Sequence, residues 1–98
     1  GPLDQAQRSG RGHLGSAKVP PILTDIQRRV AREAGCAFFD TLAAMGGPGS
    51  MAQWRKNGLG GGDLIHPTEL GARQIGTWLA DALLAGYETY QVAEETCE

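Results

Sequence analysis

Gly35-Cys36-Ala37-Phe38-Phe39-Asp40 is the stretch on which the expected fold turns. Cys36 to Phe39 is a continuous apolar run bounded by glycine and aspartate, and it reads as a buried strand. Gly35 is a natural helix stop, because glycine alone adopts the left-handed conformation without steric penalty. The residues before it read as an amphipathic helix opened by Pro20-Pro21. Ile22, Leu23, Ile26, Val30, Ala31 and Ala34 recur at three- and four-residue spacing, while Asp25, Arg28, Arg29, Arg32 and Glu33 take the other face. A helix feeding straight into a buried strand is one αβ unit of a parallel sheet. A strand at 36–39 then needs a neighbour, and no second strand is legible in the chain to satisfy its backbone groups.

The bulk numbers set the frame. Ninety-eight residues make one small domain or a piece of a larger one. The chain is 41% hydrophobic and 20% charged with a net charge of −2, so it lacks the basic footprint of a nucleic-acid binder. No apolar run reaches the length of a membrane span, and no signal peptide is recognisable. Gly1-Pro2-Leu3 reads either as a cleavage scar or as native sequence leaving a strand. The two cysteines form no disulfide framework. Cys36 reads as a small buried hydrophobe, and Cys97 falls in an acidic tail, residues 91–98, expected to fray.

Outside the helix–strand unit, residues 1–19 are polar and rich in Gly, Ser, Gln and Arg, and read as a loop. Residues 45–50 break regular structure. A short helix over 51–56 would turn Trp54 inward. After the glycine-rich stretch 58–62, Thr68 is a plausible N-cap. Leu70, Ile75, Trp78, Leu79, Ala82 and Leu83 then form a helical stripe ending near Gly86, which Tyr87 and Tyr90 extend.

The chemistry concentrates at Asp63-Leu64-Ile65-His66. A serine hydrolase needs a base for the hydroxyl proton and a carboxylate to fix the tautomer of that base. Imidazole suits the base because it titrates near neutrality. Aspartate three residues before histidine can fold back over a tight turn, accept from Nδ1–H and leave Nε2 free. Pro67 keeps His66 on extended or turn backbone. The spacing alone is a weak signal, and its surroundings strengthen it.

Gly62-Asp63-Leu64-Ile65-His66-Pro67-Thr68-Glu69-Leu70-Gly71-Ala72 resembles the C-terminal motif block of SGNH (GDSL) hydrolases. The stretch Ala37 to Gly47, with Ser50-Met51-Ala52-Gln53-Trp54, is similar to the branch containing bacterial peptidoglycan O-acetylesterases, and Leu83 to Tyr90 fits the same branch. The resemblance covers roughly residues 20–90. It implies a helix-rich C-terminal portion of a three-layer α/β/α, flavodoxin-like sandwich with a parallel sheet. It implies Asp63 as triad acid and His66 as base, with no cofactor and no metal. The implied reaction is hydrolysis of esters, O-acetyl groups on carbohydrate such as peptidoglycan, by an exported protein. The family's nucleophilic serine, in a Gly-Asp-Ser block, and its oxyanion glycine and asparagine have no match here. Ser50 lacks both that block and the G-x-S-x-G pattern, and Asn57 lacks the family's asparagine context.

Two arrangements follow. A second polypeptide or missing N-terminal half supplies the serine, or the chain is a non-catalytic, oligomeric module that pairs its own strand edges. A third reading is a small helical interaction domain with a coincidental Asp-x-x-His, and it predicts no parallel strand at 36–39. His13 reads as solvated. A metal site from His13, Asp63 and His66 would lack a fourth ligand. Trp54 and Trp78 read as packing residues, and Arg28, Arg29 and Arg32 as the wet face of a helix. The glycine-rich stretch 45–49 lacks the lysine and helix of a phosphate loop and reads as flanking the site.

Overall fold

The computed structural model describes residues 1–96, with side chains as far as Val92. Strands β1 (Ala6–Arg8) and β2 (Leu14–Ser16) form an antiparallel hairpin, followed by helices α1 (Val19–Glu33), α2 (Thr41–Met45), α3 (Ser50–Lys56) and α4 (Glu69–Thr96). Among the described residues this hairpin is the only sheet, so the expected parallel sheet and three-layer sandwich are not what the chain forms. Residues 36–39 lie in no strand and no other strand runs beside them. Without a partner a strand cannot close its hydrogen-bond ladder. The segment is tied by two local backbone bonds and one to the N-terminus. Cys36 N donates to Ala31 O, and Phe39 O accepts from Thr41 N and from the Gly1 ammonium. Cys36 is exposed rather than buried, and Cys97 lies outside the described residues.

Helix α1 starts and stops where its sequence indicates. Proline occupies its first turn, and Gly35 follows its end at φ +72°. Its charged face is exposed as expected, but its apolar face is not covered. Pro20 and Thr24 are buried, while Val19, Ile22, Ile26 and Val30 are exposed. Nothing among the described residues covers that apolar stripe. Arg28 turns inward enough to pair with Asp25 and Asp40 and to sit over the Phe38 ring, 5.4 Å from its centroid. Asp40 also caps α2, accepting from Ala43 N at 2.9 Å.

The core sits where the hairpin meets α2, α3 and the start of α4. Ala6, Met45, Met51, Trp54 and Leu64 are buried together, with Leu3, Leu14, Leu59, Ile75 and Trp78 against them. Segment 1–19, expected to be a loop, contributes Asp4, Ala6 and Ala17 to the interior. Trp54 donates its indole N–H to Met45 O at 3.1 Å and packs on Trp78, with ring centroids 5.9 Å apart. Helix α4 continues through Gly86 to Thr96, and its last half projects away from the body, giving extents of 63 × 28 × 15 Å. Leu79, Leu83, Leu84, Tyr87 and Tyr90 are exposed along it.

Candidate functional site

Residues 58–71 make a tight antiparallel loop that presents Asp63 and His66. At its base Thr68 N donates to Leu59 O at 2.9 Å, and Thr68 Oγ1 donates to Gly58 O at 2.7 Å. Gly60 bridges to Pro67, and Gly61 N donates to His66 O at 2.7 Å. Thr68 then caps α4 through its hydroxyl, which accepts from Gly71 N at 3.2 Å. Gly71 is obligatory at this junction, because a Cβ there would lie 2.0 Å from Leu59 O. The glycine admits the first turn of α4 against the loop.

At the tip, Leu64 adopts φ +64°, a left-handed conformation that costs a non-glycine residue about 1–2 kcal/mol. That turn brings residues 63 and 66 face to face. Asp63 Oδ1 accepts from both Ile65 N and His66 N at 3.0 Å, and Oδ2 meets His66 Nδ1 at 2.6 Å. The short aspartate side chain closes this turn on its own backbone. The hydrogen bond from the imidazole, followed by the two backbone N–H groups, holds the Asp63 carboxyl well below the usual carboxylate range. With the carboxylate accepting at Nδ1, the neutral imidazole carries its proton there and Nε2 is left as the basic nitrogen. Nε2 makes no hydrogen bond to any described residue. The imidazole is 77% exposed.

The structure therefore brings together the two residues singled out from the sequence, by the turn expected of them. Among the described residues no hydroxyl or thiol hydrogen-bonds to either of them. Ser50 Oγ is buried and makes no hydrogen bond, to the imidazole or to any other described group. Ser9 Oγ donates to His13 O, and Asn57 accepts from Gln53. Among the described residues no three metal-ligating side chains cluster. A cleft lined by Thr24, Asp25, Arg28, Asp40 and Leu42 includes neither Asp63 nor His66.

Two residues that support the site carry no recognisable sequence signal. Ala6 N donates to Leu64 O at 3.0 Å, so the hairpin reaches the tip of the loop. Asp4 is fully buried, and its Oδ2 accepts from Gly49 N at 3.1 Å and Met51 N at 2.8 Å. Neither fits a periodic pattern, and a lone aspartate in a polar segment looks solvated. No helix among the described residues is long and apolar enough to cross a membrane. Comparison with protein-family models, curated proteins and solved structures finds no match.

Proposed function

We propose that this chain supplies the acid–base half of a serine esterase site, with Asp63 as the orienting carboxylate and His66 as the base. The observation that carries the reading is the 2.6 Å Asp63–His66 contact with Nε2 unengaged. In the proposed cycle Nε2 takes the serine proton as Oγ attacks the ester carbonyl. The imidazolium, stabilised by Asp63, then protonates the departing alcohol. Water next attacks the acyl-enzyme, with His66 again as base. The resemblance of residues 62–72 and 37–54 to the SGNH motif blocks supports an ester, and its O-acetylesterase branch supports acetyl groups on a glycan such as peptidoglycan. The same branch supports an exported protein.

The serine comes from another polypeptide segment. The exposed apolar stripe on α1, formed by Ile22, Ile26 and Val30, and the stripe on α4, formed by Leu79 and Leu83, support a covering segment. Monomeric proteins rarely leave contiguous apolar faces of this kind to water. The test is acetate release from O-acetylated peptidoglycan, together with fluorophosphonate labelling, on the purified preparation and its His66→Ala variant. Hydrolysis that vanishes with His66, and a labelled serine on a co-purifying chain, are expected. Neither signal in a folded, homogeneous chain would leave the non-catalytic reading, in which a second copy covers the same faces and sedimentation shows a concentration-dependent dimer.

A further inference from the structure

We propose that the N-terminal strand positions the dyad: Ala6 N–H, on a strand anchored by Asp4, holds Leu64 in its left-handed conformation and so keeps Asp63 facing His66. This role in catalysis rests on the esterase reading, whereas the positioning itself does not. Leu64 is the residue of the tip that pays a conformational cost, and a strained non-glycine turn persists only where its surroundings over-determine it. Its side chain is buried against Ala6, Met45, Met51 and Trp54. Its N–H donates to Gly61 O within the loop. Its carbonyl is fixed from outside, by Ala6 N at 3.0 Å.

Ala6 is itself held on both sides. Gln5 O accepts from Ala17 N at 2.9 Å, and Ala6 pairs with Ser16 in the hairpin. Two residues earlier, Asp4 fastens the strand to the start of α3 through the amides of Gly49 and Met51. Asp4 Oδ1 is buried without a partner. A buried carboxylate satisfied on one oxygen is costly, and the strand tolerates it where the anchor is needed. Met51 also packs at the base of the site loop, its Sδ 2.9 Å from where a Gly60 Cβ would stand. The same short strand thus fixes the base of the loop through Met51 and its tip through Leu64.

The test uses the whole chain and two NMR readouts, the His66 Nδ1–H proton and the pH titration of the Asp63 carboxyl carbon. The Trp54 indole N–H reports the core. Ala6→Pro removes the donor at the first residue of a strand, where proline is tolerated. The expected result is loss of the Nδ1–H signal and an upward shift of the Asp63 titration towards the ordinary value of about 4, with the indole signal kept. An unchanged Asp63 titration with an intact core overturns the proposal. If Ala6→Pro loses the indole signal, Asp4→Ala, which removes the acceptor of the Gly49 and Met51 amides, decides: an upward shift with the indole signal kept supports the positioning role and an unshifted titration overturns it. Neither readout needs a serine or a substrate, so absent ester hydrolysis would sink the functional reading and leave this one standing.

Discussion

Gly71→Ala offers a measurable test of how the site loop is locked to α4. The added Cβ would stand 2.0 Å from Leu59 O and 3.1 Å from Pro67 Cβ. Both neighbours belong to the loop's own hydrogen-bonded base, so neither can swing aside as a flexible side chain could. Restoring a contact of 3.0 Å requires α4 and the loop to part by at least about 1 Å. That displacement stretches the Thr68 N–Leu59 O bond and the Thr68 cap on Gly71 N. A lost cap costs about 1 kcal/mol, a lost hydrogen bond about 1 kcal/mol, and overpacking about 1–3 kcal/mol. The expected loss is therefore on the order of 3 kcal/mol, or roughly 12–24 °C in Tm for a domain of this size. Gly76 is the internal control. It lies in the same helix with nothing within 4 Å of its would-be Cβ, so Gly76→Ala should stabilise by about 1 kcal/mol through helix propensity alone. Urea and thermal denaturation of both variants give the comparison. A Gly71→Ala variant within about 1 kcal/mol of the parent would refute the close approach.

Asp63→Asn keeps the shape of the turn but not the charge that orients and stabilises the imidazolium, so in the serine-complemented enzyme kcat should fall by about 10⁴, read from acetate release. The Asp63 carboxyl titrates lower in the fold than in the unfolded chain. Its stabilising contribution is therefore present above the ordinary carboxylate value of about 4 and is lost as pH falls from there through the depressed folded value. Urea midpoints should drop over that acid window in the parent and drop less in Asp63→Asn. Ile26→Glu, on an exposed face, should change the stability of the isolated chain by less than about 0.5 kcal/mol. The same variant should abolish partner or self-association, measured by sedimentation; unaltered association would remove α1 from the interface.

What was legible in the sequence was local. The prolines and Gly35 bracket α1, Thr68 caps α4, Trp54 turns inward, and Asp63 and His66 meet, because each depends on a few neighbouring residues. Position relative to distant chain was not legible. The apolar run 36–39 has the composition of a strand, but a strand exists only with a neighbour, and the described residues offer none. The periodicity of α1 identifies an apolar face without saying whether anything covers it, and here it is exposed. The hairpin is not legible because the buried residues in and beside its short strands are Asp4, Ala6 and Ala17, which give no alternating hydrophobic signal. Gly86 resembles a stop, yet α4 continues, since a single glycine costs a helix only about 1 kcal/mol.

The site loop also bears on the order in which the molecule assembles. Its bonds between Gly58 and Gly71 join residues no more than ten positions apart, and the Ala6–Leu64 bond is the distant tie among those described. Loops of about ten residues close in roughly 10–100 ns. The aspartate–histidine pair can accordingly be drafted early and locally, with the N-terminal strand arriving later to fix it. A nucleophile brought by a second polypeptide would meet a base whose tautomer is already chosen, and assembly would be a matter of alignment rather than of refolding either half.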